Sequence, residues 1–233
     1  MDNYKILIAD DEDEIRDLLA IYLKCEGFEV TTAADGIEAL QKLQKIDFDL
    51  IILDIMMPRL DGIQTCINIR KDNGIPIIML SAKSEDVDKI LGLNTGADDY
   101  VTKPFNPLEI VARVKSQLRR YTRLNDFTPK LKDEFEIGGL VINTASHQVK
   151  VDGKDIKLTP TEFSILEVLA RNKGRVLSIE SIYESVWNEP FYESENTVAV
   201  HIRNIREKIE INPKEPKYIK VVWGVGYKID NES

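Results

Sequence analysis

The chain has few of the residues that build disulfide scaffolds or zinc sites, because its 233 residues include two cysteines and two histidines. Cys25 and Cys66 lie in helix-like patterns without metal-ligand spacing, so we expect reduced thiols in a cytoplasmic protein. No apolar run reaches the length of a membrane span, and the first residues lack the basic and apolar segments of a secretory signal. We therefore expect a globular protein without membrane insertion.

A surplus of basic residues is also missing, since 40 acidic residues outnumber 31 basic residues and the formal net charge is −9. Residues 1–129 hold 16 basic and 23 acidic residues, and residues 130–233 hold 15 and 17. Residues 197–228 are different, with seven basic and three acidic residues. A phosphate backbone responds to clustered charge, so this segment keeps nucleic acid among the expected partners.

The first half alternates short apolar runs with helical periodicity. Strands are predicted at 5–9, 29–33, 49–53, 76–80 and 99–102, and helices at 13–26, 36–45, 61–71, 85–95 and 107–120. Five strands alternating with five helices favour an α/β fold with a parallel, doubly wound sheet. Right-handed crossovers then bring the carboxyl ends of the strands to one edge of the sheet.

A polar stretch separates this pattern from a different one, which predicts a domain at 1–121, a linker at 122–134 and a domain at 135–233. The second domain begins with apolar and polar residues alternating around Gly138 and Gly153, which is typical of antiparallel strands. Helices are predicted at 160–171, 178–187 and 196–211, and a closing hairpin is predicted around Gly224. This α+β order describes a winged helix, a variant of the DNA-binding helix-turn-helix.

Five chemically active side chains are predicted at the carboxyl edge of the first sheet: Asp10 and Asp11 after strand one, Asp54 after strand three, Ser81 after strand four and Lys103 after strand five. Three carboxylates in one place require a cation, and their oxygens suit Mg²⁺. A hydroxyl and an ammonium aimed at the same place suggest an incoming anion. The set fits phosphoryl transfer onto Asp54, with the metal and Lys103 neutralising the developing charge.

Several alternatives compete with this interpretation. Each acid alone would be an ordinary helix cap or turn residue. A flavin-binding protein of this topology would carry a phosphate-binding loop where this chain has "ADDEDE", and a hydrolase of the haloacid dehalogenase type would carry its nucleophile as D-x-D on the first strand. A DNA-binding regulator or scaffold that works without phosphorylation remains the main competitor, although such a protein need not keep all five groups.

The motifs "DDE", "LDIMMPRLDG", "LSAK" and "GADDYVTKPF" resemble those of bacterial response-regulator receiver domains. The motifs "LTPTEFSILEVLA", "TVAVHIRNIREKI" and "VVWGVGYKI" resemble the output domain of the OmpR/PhoB class. The resemblance implies a two-component transcription factor, not an enzyme, that is phosphorylated by a sensor histidine kinase. It makes Asp54 the phosphoacceptor and Ser81 and Lys103 the phosphoryl ligands. Tyr100 becomes an aromatic side chain that rotates on phosphorylation, and the implied Mg²⁺ ligands are Asp10, Asp11, Asp54 and the carbonyl of Met56.

The same resemblance implies a homodimer formed on phosphorylation, bound to direct-repeat half-sites in promoter DNA and contacting RNA polymerase. The implied intersubunit charge pairs are Lys89–Glu109, Asp99–Arg113 and Asp98–Arg120. Each pair joins opposite charges, so the three pairs together fit a symmetric interface, in which each pair occurs twice.

The resemblance also makes 196–211 the recognition helix. Its polar face is expected to present Thr197, His201, Arg203, Asn204 and Lys208, with Arg206 near the edge as a phosphate or structural contact. Asn204 stands where a second arginine is common, and asparagine can read adenine in the major groove. Trp223 occupies a wing position often held by an arginine, so it either packs under the wing or touches DNA.

Overall fold

The computed structural model describes residues 4–81, 96–123, 134–187 and 195–230. The chain divides into two compact units, residues 1–121 and 122–233, and each is described by itself. The helix predicted at 85–95 lies outside the described residues, as do residues 124–133 of the predicted linker. Within the described ranges, no helix has both the length and the apolar character that crossing a membrane requires.

The first unit contains a five-stranded parallel sheet with the strand order β2-β1-β3-β4-β5. Its strands are β1 (Lys5–Ala9), β2 (Glu29–Ala33), β3 (Leu50–Asp54), β4 (Ile77–Ser81) and β5 (Asp99–Thr102). Its described helices are α1 (Asp13–Cys25), α2 (Gly36–Leu43), α3 (Gly62–Asp72) and α4 (Pro107–Arg123). The predicted doubly wound α/β fold is confirmed.

Strand β3 shows how the sheet is buried on both faces. Ile51 and Leu53 belong to a core cluster with Cys66 of α3, whereas Leu50 and Ile52 belong to a second cluster with α1. Each such side chain contributes about 1.5–3 kcal/mol when it is fully buried. The unbroken apolar run before Asp54 is therefore the signature of a central strand in a parallel sheet.

Strands β3 and β4 each begin and end one residue later than the sequence pattern predicts. Pro76 has no backbone N–H to donate to a sheet ladder, although its carbonyl accepts a hydrogen bond from Ile51 at 2.9 Å. Consequently Asp54 and Ser81 are the last residues of their strands. Their backbones are held in the parallel pairing of β3 with β4 and of β4 with β5.

The second unit begins with an antiparallel sheet of β6 (Glu134–Ile137), β7 (Leu140–Asn143), β8 (Gln148–Val151) and β9 (Lys154–Ile156). Three helices follow, α5 (Pro160–Arg171), α6 (Ile179–Trp187) and α7 (Glu195–Ile209), and the hairpin of β10 (Ile219–Val222) and β11 (Gly226–Ile229) closes the unit. This order confirms the predicted winged helix.

Side chains at the ends of two of these helices bind nearby backbone groups. Helix α5 starts with the capping box that the sequence predicts, in which Thr159 and Glu162 each bond to the backbone of the other. Helix α7 ends at Ile209, two residues before its predicted end. The next residue, Glu210, turns its carboxylate to the backbone N–H groups of Lys217, Tyr218 and Ile219, at 2.7–3.0 Å, and so holds the start of the wing.

Candidate functional site

The sheet places the predicted phosphoryl-transfer residues at one edge. Asp54 ends β3, and its register partner on β4 is Leu80, the residue before Ser81. Ser81 in turn is the register partner of Thr102, the residue before Lys103. Asp10 follows β1, and its backbone N–H donates to Ala33 of β2. The prediction that these residues share the carboxyl edge thus agrees with the strand register.

The three predicted acids form a cluster that could hold a metal ion. One oxygen from each of Asp10, Asp11 and Asp54 lies within 4.8 Å of the others. Asp10 and Asp54 are buried, and within the described part of the chain neither Asp10 Oδ2 nor Asp54 Oδ1 accepts a well-formed hydrogen bond. Buried carboxylate oxygens of this kind require a cation, so the residues fit Mg²⁺. Met56, two residues beyond Asp54, is 66% exposed.

The ammonium of Lys103 enters this acidic cluster. Its Nζ lies 2.8 Å from Asp10 Oδ2, 3.1 Å from Glu12 Oε1 and 3.5 Å from Asp54 Oδ1. Glu12 is a contact that sequence reasoning did not identify, although it is the third acid of the "DDE" motif. Lys103 is therefore the cation that balances the carboxylates in this structure.

The electrostatics of the cluster are dominated by burial. Burial, together with the neighbouring charge of Asp10, raises the pKa of Asp54 to about 7, although Lys103 acts in the opposite direction. For Lys103, burial opposes the charged form, but the contact of its ammonium with Asp10 and the charge of Asp54 outweigh it, so its pKa is raised. The lysine is a permanent cation near neutral pH, whereas Asp54 titrates in the physiological range.

Ser81 and Tyr100 are both buried beside this edge. Tyr100 is the register partner of Met79 on β4, and it packs in the core cluster that includes Met57 and Ala97. The structure thus holds Tyr100 in an inward position. Its rotation on phosphorylation stays a prediction.

The charged residues predicted to pair between subunits are largely engaged within one chain. Asp98 is fully buried, with Arg70 Nη2 2.7 Å from its Oδ2 and the backbone N–H of Ile77 donating to it. Arg113 bonds to Asp99 at 3.0 Å and to Glu109 at 2.9 Å. The carboxylate of Asp98 thus points into the chain that carries it, and its pairing with Arg120 between subunits stays a prediction. Lys89 and the side chain of Arg120 lie outside the described residues.

The predicted polar face of α7 also needs correction. Arg203 is exposed and pairs with Glu207 one turn away, and Thr197 is half-buried. His201 is 1% exposed, with its ring 5.8 Å from that of Trp187, and Asn204 is 7% exposed. The prediction that His201 and Asn204 lie on an exposed face is wrong, because a helical wheel gives the direction of a side chain but not the neighbours that cover it.

Two basic residues of α7 stabilise the second unit. Lys208 Nζ lies 2.5 Å from the buried carboxylate of Glu162, the capping residue of α5. Arg206 donates two hydrogen bonds to the carbonyl of Ile219 in the wing, and its guanidinium lies 5.8 Å from the centre of the Tyr227 ring. Of the two roles predicted for Arg206, these contacts favour the structural one. The capping box is the sequence feature that identifies Glu162, and it does not predict the contact with Lys208.

The tip of the wing carries an exposed tryptophan. Trp223 is 88% exposed and Val225 is 55% exposed, on either side of Gly224, whose φ of 73° favours glycine. Of the two alternatives for Trp223, packing under the wing is therefore wrong. An exposed indole at the tip of a hairpin is available for contact with a partner.

A receiver-type sheet with an acidic cluster, followed by a winged helix, defines a DNA-binding response regulator of a two-component system. Residues 6–115 match the family model of the response regulator receiver domain, and residues 153–229 match that of the transcriptional regulatory protein C terminal. The chain belongs to the OmpR/PhoB class of response regulators.

Individual relatives extend over nearly the whole chain. The chain is 50% identical to the regulatory protein VanRc of Enterococcus gallinarum and 49% identical to the regulatory protein VanR of Enterococcus faecium, each over 97% of this chain and 98% of the relative. The phrases "LTPTEFSIL", "KYIKVVWGVGYKI" and "QLRRY" already indicate the likeness to the vancomycin-resistance regulator VanR.

Solved structures agree with this. The response regulator DrrB of Thermotoga maritima, an OmpR/PhoB homologue, is 35% identical over 98% of this chain and 99% of its own, with a TM-score of 0.52. A mutant of the protein RitR is 26% identical over 99% of this chain and 100% of its own, with a TM-score of 0.76.

Proposed function

We propose that this regulator is activated when a sensor histidine kinase transfers a phosphoryl group to Asp54. The observation that carries the proposal is the meeting of Asp10, Asp11 and Asp54 within 4.8 Å, with the Lys103 ammonium among them, in a chain that also contains a winged helix. A protein that regulated DNA without phosphorylation would have no use for a buried, cation-dependent carboxylate of this kind.

In the proposed reaction an Asp54 oxygen attacks the phosphorus of a phosphohistidine, the phosphorus–nitrogen bond breaks, and the leaving imidazole takes up a proton. Lys103, 3.5 Å from Asp54 Oδ1, moves toward the transferred group and neutralises its oxygens, and the Ser81 hydroxyl donates to one of them. Bound Mg²⁺ would supply further positive charge for the phosphoryl oxygens, held by Asp10, Asp11, Asp54 and the carbonyl of Met56. Burial of Asp54 limits the access of water that would hydrolyse the product.

The test is labelling of the full-length protein with acetyl phosphate and Mg²⁺, followed by intact-mass measurement. One phosphoryl group per wild-type chain is expected, and none on Asp54→Asn. Asp61→Asn is the matched control, because Asn keeps the helix cap that Asp61 forms at α3 while removing a nearby carboxylate. Full labelling of Asp54→Asn would overturn the assignment of the phosphoacceptor.

Phosphorylation is further proposed to pair two receiver domains, which places two winged helices on direct-repeat half-sites. One output domain offers few positive charges, so one copy neutralises few phosphates and binds weakly. Joining two copies makes the second contact effectively intramolecular. Arg203 and the exposed Trp223 are the groups proposed to contact DNA, and RNA polymerase is the proposed partner at the promoter.

The proposed targets are cell-envelope or glycopeptide-resistance genes, supported by 49–50% identity to VanR and VanRc. The proposed function excludes enzymatic turnover of other substrates, and any hydrolysis is the slow loss of the protein's own acyl phosphate. DNase footprinting of the chromosomal region beside the protein's own gene, with and without a phosphodonor, would locate the operator.

A further inference from the structure

An ion pair links helix α2 to the loop that follows the phosphoacceptor. Arg59 Nη2 contacts Oδ2 of Asp35, whose side chain is 2% exposed, while the arginine side chain is 58% exposed. Oδ1 of the same aspartate accepts a hydrogen bond from the backbone N–H of Glu38 at 3.0 Å and so caps α2. One oxygen of Asp35 thus caps α2, and the other forms the ion pair with Arg59 in the loop 55–61.

The backbone at Arg59 adopts a conformation that the residue does not favour by itself. Its φ is 64°, in the left-handed region where side chains other than glycine are strained. Such a conformation persists only where surrounding contacts over-determine it. The ion pair with Asp35 is one such contact, and the backbone N–H of Gly36, which donates to the Leu60 carbonyl at 3.2 Å, is another.

The loop is tightly fitted at both of its ends. Ile55 donates to Leu80 of β4 at 2.9 Å, and Gly62 donates back to the carbonyl of Ile55 at 3.0 Å. A Cβ at Gly62 would collide with the carbonyl oxygen of Asp54, and a Cβ at Gly36 would collide with the carbonyl oxygen of Leu60. Two glycines therefore let the loop lie against Asp54 on one side and against α2 on the other.

We infer that Asp35 and Arg59 are a positioning pair for the metal site, holding loop 55–61 in the conformation that brings the Met56 carbonyl to the acidic cluster. The inference rests on the proposed function, because it assumes that Mg²⁺ binds beside Asp54. Neither residue touches the metal in this account. Their effect passes through the backbone of the loop, as outer contacts orient ligands in other metal sites.

Positioning and simple electrostatics make opposite predictions for one of the two residues. By charge alone, removing the Arg59 cation would tighten Mg²⁺ binding and removing the Asp35 anion would weaken it. If the pair holds the loop, removing either residue weakens binding. The sign of the Arg59 effect therefore separates the two explanations.

The experiment is calorimetric titration of Mg²⁺ into full-length protein. Asp35→Asn keeps the helix cap and loses the charge, whereas Arg59→Gly loses the ion pair but tolerates the positive φ. We expect each variant to raise the Kd for Mg²⁺ about tenfold, at the low end of outer-contact effects. The variant that carries both substitutions should bind Mg²⁺ no more weakly than Arg59→Gly alone. Arg59→Lys should bind Mg²⁺ more tightly than Arg59→Gly, because lysine restores the positive charge.

Glu26→Gln and Lys115→Gln are the matched controls, because Glu26 follows the C-terminal end of α1, Lys115 lies on α4, and the pair, 2.6 Å apart, lies away from the carboxyl edge of the sheet. Both should leave the Kd unchanged. Tighter binding by Arg59→Gly would overturn the inference in favour of electrostatics. Unchanged Kd values with a lowered unfolding midpoint would overturn it in favour of a purely structural role. Failure of the wild-type protein to bind Mg²⁺ would instead contradict the proposed function, and the inference would fall with it.

Discussion

Lys103 and Asp10 form an ion pair in the acidic cluster, with Nζ 2.8 Å from Oδ2. Asp10 is fully buried, and its carboxylate is also one of the three that could hold Mg²⁺. The ammonium and a metal ion therefore compete for the same carboxylate. In the proposed reaction, Lys103 therefore gives up Asp10 before it serves an arriving phosphoryl group.

This competition predicts that Lys103→Met tightens Mg²⁺ binding. A unit charge about 4 Å away in water is worth about 1 kcal/mol, or about fivefold in affinity. Calorimetry at a pH high enough to ionise Asp54 in both proteins should show a lower Kd by at least about that factor, while labelling by acetyl phosphate falls. Lys115→Met, which removes a lysine paired with Glu26, should change neither. Weaker Mg²⁺ binding by Lys103→Met would show that the lysine supports the site rather than competing for it.

A second prediction concerns pH, because burial raises the pKa of Asp54 to about 7 in the metal-free protein. Mg²⁺ binds the carboxylate form, so below pH 7 binding must release a proton. The affinity should rise with pH up to about tenfold per unit between about pH 5 and 7, and then level off. Titrations in buffers of different ionisation enthalpy would count the released proton. An affinity that is constant over this range would contradict the raised pKa.

The second prediction has a counterpart in stability, because the same carboxyl group should make the stability of the metal-free protein fall as the pH rises. Between about pH 4 and 7 the folded protein holds a proton that an unfolded aspartate, with a pKa of about 3.9, has lost. The contribution to stability is thus present at low pH and is lost toward pH 7, with a slope of at most about 1.4 kcal/mol per unit. The free energy of unfolding, measured by denaturant titration at several pH values, should fall more steeply with pH for wild type than for Asp54→Asn, by up to this slope. An equal pH dependence of the two proteins would contradict the prediction.

A third prediction concerns Gln117 on α4, which is fully buried and has no hydrogen-bond partner for its amide group in the described part of the chain. Leaving such a group unsatisfied costs about 1–3 kcal/mol. Gln117→Met keeps the length of the side chain and should raise the free energy of unfolding by about 1 kcal/mol, measured by chemical denaturation. Gln41→Met, at an exposed position of α2, is the control and should have little effect. Destabilisation by Gln117→Met would mean that the amide is needed.

A fourth prediction separates the roles of two basic residues in α7. Lys208→Ala leaves the buried carboxylate of Glu162 without its ammonium and should destabilise the second unit by about 1–3 kcal/mol. Arg203→Ala removes an exposed pair of little energetic value, so stability should hold while DNA affinity falls. Denaturation followed by tryptophan fluorescence, together with DNA titration, would test both. A Lys208→Ala protein of normal stability with a reduced salt dependence of DNA binding would contradict the structural role.

The sequence was sufficient to predict which residues share the sheet edge, but it did not predict which groups the individual charged side chains contact. Parallel topology alone brings Asp54, Ser81 and Lys103 together, because each follows or ends an apolar run. Nothing in the pattern shows that Asp98 turns inward to Arg70. That contact depends on α3 lying beside the start of β5, a tertiary relationship that residue spacing does not encode.

The same limit applies to the recognition helix. The apolar stripe of Val198, Ile202, Ile205 and Ile209 is buried as its spacing predicts. His201 lies beside that stripe and is covered, with the Trp187 ring nearby. Lys208 is drawn to a carboxylate 46 residues away. Local periodicity identifies which face of a helix is buried. The partner that a long side chain contacts depends on the tertiary fold.

The central claim is that phosphorylation of Asp54 strengthens DNA binding by joining two output domains, and the most direct test is a titration against one half-site and against two. Full-length protein should bind the direct repeat far more tightly with acetyl phosphate and Mg²⁺ than without them, while binding to one half-site stays unchanged. Asp54→Asn should show no response on either DNA. If phosphorylation tightened binding to one half-site as much as to two, the receiver would be acting on the recognition helix itself, and the account would be wrong.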